Sequence, residues 1–330
     1  MSLTFSKIST GANDSCEPYH VAKVIDYAGR FDKFIYYTDN SISCREEINS
    51  KRLTKDICKY MEEGEEYHNI KLTTKQYMSC HDKIMAKIYP KGEEERKIYN
   101  YVTEVIEAVE SKRFYTPGII EVIPRGIEKQ QDRLYLAAQS GAGKTYFIVK
   151  YGNNYLVIYP NNKVFLFSAK EQDETIDGKI PNLRRVALNK ELALRLKGES
   201  REEQMQEYSN SLIIFDDQDT IGDKIIKTEV KEFKNAVLRT GRQYGISVIS
   251  VTHKLLAGQD SIVELQQATH IVMFPKCGIQ GCKEVLKTYC GYGQGEIDKV
   301  LDAEGKEQRW ICVARPNIVI TEKYIKILDR

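Results

Sequence analysis

Residues 139–146 combine small residues with a lysine and a threonine at the spacing of a phosphate-binding loop. Gly143, Lys144 and Thr145 occupy the last positions of the Walker A pattern, whereas Ala138 stands where its first glycine usually stands. Small residues let backbone N–H groups turn toward phosphate oxygens, lysine adds a positive charge, and the threonine hydroxyl can ligate Mg²⁺. We therefore predict a site for ATP and Mg²⁺. The residues predicted to hold the nucleotide are Gln139, Ser140, Gly141, Ala142, Gly143, Lys144, Thr145 and Tyr146.

Two acids follow a second apolar run. Residues 211–215 are nearly all apolar, as expected for a strand buried on both faces, and Asp216 and Asp217 come directly after them. Ligands bind at the carboxyl ends of strands in open α/β sheets. Asp216 is predicted to hold Mg²⁺, together with Thr145, and Asp217 to orient or deprotonate the attacking water.

A third segment carries two arginines and, after an apolar strand, a histidine. Arg239 and Arg242 lie at the end of a predicted helix, and the next apolar strand, residues 246–252, is followed by His253. Taken alone, an arginine here can simply meet the negative end of a helix dipole. Taken alone, His253 can be an ordinary histidine at a strand end.

These motifs, with the apolar strand at 164–167, resemble in order those of the FtsK–HerA superfamily of DNA-pumping ATPases. Within it the sequence is most similar to the poxvirus-type genome-packaging ATPases of large DNA viruses. The resemblance covers about residues 130–275. It implies a RecA-like fold, ATP hydrolysis coupled to translocation of double-stranded DNA, a homo-oligomeric ring and a capsid or virion partner. The implied location is the host cytoplasm or viral factory, or the virion.

The resemblance also implies residue roles. Arg242 would be the arginine that reaches a neighbouring subunit's γ-phosphate, with Arg239 as the rival candidate. His253 stands where the family usually has a polar sensor, often glutamine, and Lys144 and Asp217 complete the predicted catalytic set.

The residues also bear on other classes of nucleotide-binding protein. A GTPase is rejected because the segment 189–192, Asn-Lys-Glu-Leu, lacks the aspartate that recognises guanine. A helicase, a nucleotide kinase, and a slow regulatory or scaffolding module remain alternatives to a translocase.

The pattern around the motifs predicts the fold class. Strands are predicted at 119–123, 134–137, 163–168, 211–215, 246–252 and 269–274, with helices including 188–196 and 227–239 between them. This alternation is typical of an α/β protein with a mostly parallel sheet. Residues 309–314 and 317–328 are predicted as two further strands. Residues 1–117, with a strand at 33–38 and a helix at 93–113, are predicted to form an N-terminal α+β extension, and residues 118–330 the ATPase domain.

Composition bounds the remaining possibilities. The net charge of +2 excludes a histone-like protein but permits a local DNA-binding surface. No apolar run is long enough for a membrane span, and the eight scattered cysteines are typical of reduced thiols in a cytosolic compartment.

Zinc binding by either group of cysteines and histidines is disfavoured, because no tight Cys-x-x-Cys pair is present. These groups are Cys277, Cys282 and Cys290 with His270, and Cys16, His20, Cys44, Cys58, His68, Cys80 and His81. A basic stretch over 184–201 could line a DNA channel or form a solvated face.

Overall fold

The computed structural model describes residues 2–6, 19–38, 76, 79–80, 83–84, 86, 88–110, 113–116, 118–126, 131–256, 259–315 and 317–328. The described chain forms two sheets, one of four strands and one of ten. Five members of the N-terminal group for which zinc binding was disfavoured lie outside the described residues: Cys16, Cys44, Cys58, His68 and His81.

The small sheet is antiparallel. Its strands are β1 (Ser2–Ser6), β2 (Tyr19–Ile25), β3 (Phe31–Thr38) and β5 (Ile119–Val122), in the order β1-β3-β2-β5. Helix α1 (Glu93–Glu110) and strand β4 (Arg113–Tyr115) lie between β3 and β5 in the chain. The predicted strand at 33–38 and helix at 93–113 are therefore confirmed with shifted ends.

The strand before residue 117 belongs to the large sheet, and the strand after it belongs to the small sheet. β4 precedes this residue and pairs with the last strand of the large sheet, β14 (Tyr324–Ile327). β5 follows it and pairs antiparallel with β2 of the small sheet. This corrects the prediction that the strand at 119–123 belongs to the mostly parallel sheet.

The large sheet has a parallel part of six strands. These are β6 (Arg133–Ala137), β7 (Lys163–Ser168), β8 (Leu183–Ala187), β9 (Ser211–Asp216), β10 (Ile246–Thr252) and β11 (His270–Met273). Their order is β11-β6-β10-β9-β7-β8, and every neighbouring pair is parallel. The fold is thus the predicted α/β architecture with a mostly parallel sheet. β8 was not predicted, because Arg184 and Arg185 interrupt its apolar pattern at the sheet edge.

The antiparallel part of this sheet corrects the prediction for the C-terminal region. Residues 317–328 form two strands instead of one, β13 (Ile318–Ile320) and β14, after β12 (Ile311–Ala314). The Thr321 hydroxyl accepts hydrogen bonds from the N–H groups of Lys323 and Tyr324, at 3.2 and 3.0 Å. This side-chain turn ends β13 and reverses the chain.

Helices cover both faces of the large sheet. Helix α2 (Lys144–Ile158) packs its buried aromatic and aliphatic residues on one face, against residues of β6, β9 and β10. The other face carries α3 (Lys190–Gly198), α4 (Arg201–Glu207) and α5 (Lys224–Thr240), which bury Phe167, Phe215 and Phe233. Beside them lie α6 (Gln259–Gln267), α7 (Ile279–Thr288), α8 (Gln294–Val300) and α9 (Ala303–Glu307). The predicted helices at 188–196 and 227–239 correspond to α3 and α5.

Within the described residues, no helix combines the length and apolar character needed to cross a membrane.

Candidate active site

The predicted site residues meet at one edge of the large sheet. The six parallel strands point the same way, so the turns after β6, β9 and β10 share the edge where the strands end. β10 lies between β6 and β9, with Thr252 beside Ala137 and Ser250 beside Phe215. This strand order brings His253, which follows β10, between the phosphate loop and the two aspartates.

The phosphate loop joins β6 to α2 through left-handed backbone conformations. Gly141 and Gly143 have φ values of 78° and 103°, which residues with a Cβ rarely adopt. Ala138, at the position of the missing first glycine, is not among the described residues with positive φ. Its buried N–H group donates to the Thr252 carbonyl at 3.1 Å. The loop therefore does not require glycine at 138, and this departure from the motif has a structural explanation.

The Lys144 side chain packs against the phosphate loop and is hydrogen-bonded to it. The residue is 9% exposed, and its Nζ donates to the Ala138 and Gln139 carbonyls at 2.7 and 3.1 Å. It is also the first residue of α2, whose N-terminal N–H groups and positive dipole end face the loop. Ammonium, loop and helix end together form an electropositive cradle of the kind that binds phosphate groups.

His253 connects this lysine with the second aspartate. Its Nδ1 lies 3.2 Å from Lys144 Nζ, and its Nε2 lies 3.0 Å from Asp217 Oδ1. Because a lysine ammonium can only donate, Nδ1 accepts, and the ring proton is assigned to Nε2, which donates to the carboxylate. The strand-end histidine thus links two predicted catalytic groups.

Asp217 takes up an uncommon backbone conformation to make this contact. Its φ is 53°, in the left-handed region that aspartate tolerates better than most residues, and it turns the chain sharply after β9. The residue is 6% exposed.

Lys170 is a member of this cluster that sequence reasoning missed. It follows β7, the neighbour of β9, and its Nζ forms an ion pair with Asp217 Oδ2 at 2.7 Å. Burial raises the pKa of Asp217, but Lys170 and His253 outweigh burial, and the net pKa lies below its ordinary value. The available signal was a lysine two residues beyond a predicted parallel strand.

Asp216 has the opposite electrostatic environment. Burial raises its pKa above the ordinary value, and the negative charge of Asp217 adds to this effect. Asp216 Oδ1 accepts the N–H of Asp217 at 3.0 Å. A carboxylate whose charge is disfavoured in this way is suited to a hard cation such as Mg²⁺, which would stabilise its ionised form. The hydroxyl of Thr145, in the first turn of α2, has the chemistry of a second ligand.

The remaining predicted nucleotide contacts lie on the open side of the loop. Gln139, Ser140 and Gly141 are exposed, and Gln139 Nε2 donates to the Cys277 carbonyl at 3.4 Å. Tyr146 is 43% exposed, and the Arg309 guanidinium lies 5.2 Å from its ring centroid, a cation–π distance.

The two predicted arginines lie elsewhere. Arg242 is exposed in a short 3₁₀ turn (Gly241–Tyr244) that precedes β10, and Arg239 is exposed in the last turn of α5. β10 has seven residues and spans about 20 Å, so Arg242 lies at the opposite edge of the sheet from the phosphate loop of its own chain. The fold does not bring either arginine into the cluster around Asp217.

The basic stretch at 184–201 is partly neutralised. Arg185, Arg195 and Arg201 form ion pairs with Asp177, Glu207 and Glu232, at 2.7, 2.7 and 2.9 Å. Arg184 and Lys190 are exposed on β8 and at the start of α3.

The cysteines predicted to be core thiols are free. Cys282 and Cys290 are buried and Cys277 is half-buried. Within the described part of the chain, no three His, Cys, Asp or Glu residues are grouped so that they could hold a metal ion.

Comparisons with known proteins place the chain among its relatives. No family model matches it. Solved structures similar to it include the genome packaging NTPase B204 from Sulfolobus turreted icosahedral virus 2, bound to AMPPCP, at 15% identity and a TM-score of 0.40 over 60% of this chain and 98% of that one. The pCW3 conjugation coupling protein TcpA is 10% identical, with a TM-score of 0.40, over 59% of this chain and 60% of that one.

In sequence the chain is 31% identical, over 201 residues, to uncharacterized protein V3 of Sputnik virophage. The match covers 59% of this chain and 76% of V3. The chain belongs to the same protein family as V3 of Sputnik virophage.

Proposed function

We propose that the protein is an ATPase that drives double-stranded DNA into a viral capsid. The main support for ATP hydrolysis is the chain of contacts from Lys144 through His253 to Asp217 at the sheet edge. This contact joins a phosphate-binding group directly to a candidate base. The translocase assignment rests on the order of motifs that resembles the DNA-pumping ATPases.

Each residue of the cluster has a role in this proposal. The phosphate loop and Lys144 bind the triphosphate, while Asp216 and Thr145 hold Mg²⁺, which neutralises phosphate charge when bound. Asp217 orients the attacking water and accepts its proton. His253 holds Asp217 in place. Lys144 moves from the loop carbonyls to the phosphates when the nucleotide enters, and His253 responds to this movement because it contacts Lys144.

Charge supports an additional group from a neighbour. Lys144 and Lys170 balance Asp216 and Asp217, so the cluster is neutral before the nucleotide enters. A triphosphate with one divalent metal ion brings net negative charge. Arg309 of the same chain lies beside Tyr146 of the loop, and a further cation would stabilise the transition state. Arg242 cannot supply that cation within its own subunit. We therefore propose a homo-oligomeric ring in which Arg242 completes the adjacent site.

In this proposal residues 118–330 are the ATPase unit and residues 1–117 an N-terminal unit that could contact the capsid. The activity belongs in the host cytoplasm or viral factory, where capsids are filled, or on the virion.

The test is the ATPase rate with and without double-stranded DNA, beside the native mass of the assembly. We expect rate stimulation by duplex DNA of about tenfold or more and a mass of several subunits. ATP consumption only with an acceptor nucleotide would instead identify a kinase, and strand displacement by a monomer would identify a helicase.

A further inference from the structure

Arg309 lies at the same sheet edge as the phosphate loop, on the side away from the catalytic cluster. β12 begins beside the end of β11, since Ile311 pairs with Met273, and Met273 also pairs with Ala137 at the end of β6. Arg309 comes two residues before β12. β11 lies on one side of β6, and β10, which leads to His253, lies on the other. The phosphate loop therefore has His253 on one side and Arg309 on the opposite side.

The Arg309 side chain extends over the loop and the start of the helix that follows it. A Cβ atom placed on Gly143 would lie 3.6 Å from Arg309 Cδ, which is an ordinary van der Waals distance. The guanidinium lies 5.2 Å from the ring centroid of Tyr146, a cation–π distance. The aliphatic stem of the arginine thus lies beside the loop glycine, and its planar end lies beside an exposed aromatic ring in the first turn of α2.

Neighbouring contacts hold this arginine and tyrosine in place. Trp310 is buried, and its ring meets the Phe147 ring edge-on, with 5.1 Å between the centroids. This contact joins the residue after Arg309 to the residue after Tyr146. The guanidinium also forms an ion pair with Glu322, at 3.5 Å between Nη1 and Oε1. The Glu322 carbonyl accepts a hydrogen bond from the backbone of β5 at 2.9 Å, so this carboxylate belongs to a fixed turn.

The charges around the tyrosine ring favour an uncharged ligand group. Two cations lie beside the Tyr146 ring, Arg309 and, at 5.5 Å from the centroid, Lys150. Each of them has a carboxylate partner: Glu322 pairs with the arginine, and Glu121 pairs with the lysine at 2.9 Å. A flat and partly exposed surface whose charges are balanced suits an aromatic base, since bases stack on tyrosine rings and on guanidinium planes.

A nucleotide in the phosphate loop would present such a base on this side. In the proposed function the γ-phosphate faces Asp217, which lies on the His253 side of the loop. The nucleoside is at the other end of the triphosphate, so it leaves the loop toward Arg309. We propose that Arg309 and Tyr146 form the subsite for the nucleoside of ATP, with the base stacked against the guanidinium and the tyrosine ring. The inference rests on the proposed function for the direction of the triphosphate.

The test compares two ligands that share the phosphates and differ in the nucleoside, a non-hydrolysable ATP analogue and inorganic tripolyphosphate. Their binding to the full chain is measured by calorimetry with Mg²⁺ present. Arg309→Ala should weaken binding of the ATP analogue about tenfold or more beyond any effect on tripolyphosphate, because base stacking is lost. Arg184→Ala is the matched control, since it removes an exposed arginine from β8 at the far edge of the sheet.

Three further variants separate stacking from charge and from misfolding. Arg309→Lys keeps the positive charge without the planar group and should show the same selective loss. Tyr146→Leu should also weaken only the ATP analogue, and Tyr146→Phe, which restores the ring, should recover most of that loss. If circular dichroism shows that Arg309→Ala does not fold, Arg309→Lys and Tyr146→Leu decide the question by the same comparison of ligands.

The outcomes distinguish this inference from the proposed function. If the Arg309 variants weaken both ligands equally, the guanidinium contacts phosphate and the nucleoside subsite is overturned. Unchanged binding of both ligands overturns it as well. The proposed function fails on a different measurement, the absence of ATPase stimulation by duplex DNA, and that result leaves the comparison of ligands intact. Failure of the wild-type protein to bind the ATP analogue would overturn both.

Discussion

His253 lies 3.0 Å from Asp217 and so ties the end of β10 to the end of β9. The same ring contacts Lys144 at 3.2 Å through its other nitrogen. Because the two nitrogens are on opposite sides of one rigid ring, movement of the lysine toward a phosphate must change the environment of the aspartate. In the proposed function, this arrangement is the route by which nucleotide binding at Lys144 reaches the candidate base Asp217.

Lys144→Ala should abolish tight ATP binding and turnover. Removing the ammonium beside the triphosphate should cost several kcal/mol of transition-state stabilisation, a rate loss of about 10³-fold or more. The measurement is steady-state ATPase activity with nucleotide titration. Lys163→Ala is the control, since Lys163 is an exposed lysine at the start of β7, at the opposite end of that strand from the site. Turnover of Lys144→Ala within threefold of the wild type would refute the phosphate-loop assignment.

Asp217→Asn should separate nucleotide binding from hydrolysis. Asparagine tolerates the left-handed backbone at this position and can still accept the His253 hydrogen bond, but it cannot take a proton from water. We expect normal ATP binding with turnover reduced about 100-fold or more.

Asp216→Asn is the comparison for that variant and should lose Mg²⁺-dependent nucleotide binding. Without Mg²⁺ it should melt at a higher temperature than the wild type at neutral pH, because it removes a carboxylate whose charge the fold disfavours. The folded pKa of Asp216 is raised, so its cost grows as pH rises and vanishes when the group is protonated in both states. If Asp217→Asn is the variant that loses ATP binding, the two roles are reversed.

Lys170→Gln should make hydrolysis more sensitive to acid. Lys170 and His253 hold the pKa of Asp217 below its ordinary value, so removing the lysine should raise it. Asp217 then becomes protonated at a higher pH, and the acid limb of the kcat/KM profile moves toward neutrality. The ratio of variant to wild-type rates should fall progressively as pH is lowered. The control is Lys163→Gln, an exposed change at the other end of β7. Identical acid limbs in the variant and the wild type would show that Lys170 does not influence the base.

The sequence predicted the parallel strands that carry uninterrupted apolar runs, and with them the common edge of the site. β9 is the clearest case, since residues 211–215 are buried on both faces. β8 escaped prediction because an edge strand tolerates polar residues such as Arg184 and Arg185. The contacts of Asp217 with His253 and Lys170 join residues 36 and 47 positions apart. They depend on β9 lying between β10 and β7. The apolar pattern of a single segment does not predict the order of strands in a sheet.

Arg242→Ala should impair the active site of a neighbouring subunit instead of the site in its own subunit. Arg242 and the phosphate loop of its own chain are at opposite ends of β10, so any finger function requires a neighbouring subunit. An arginine finger typically contributes about 10³-fold or more to the rate. We expect the variant to fold, bind ATP and assemble, yet to hydrolyse poorly.

The decisive measurement mixes Arg242→Ala with Lys144→Ala, each nearly inactive alone. In a mixed ring some interfaces pair an intact phosphate loop with an intact Arg242, so activity should return to roughly a quarter of the wild-type value at equal mixing, if assembly is random and each interface works independently. Arg239→Ala with Lys144→Ala provides the parallel control, because Arg239 is exposed at the end of the preceding helix. If the mixture stays inactive while mass measurement shows mixed rings, Arg242 does not act in the active site of a neighbouring subunit. Restoration of activity by the Arg239→Ala mixture alone would transfer the finger role to Arg239.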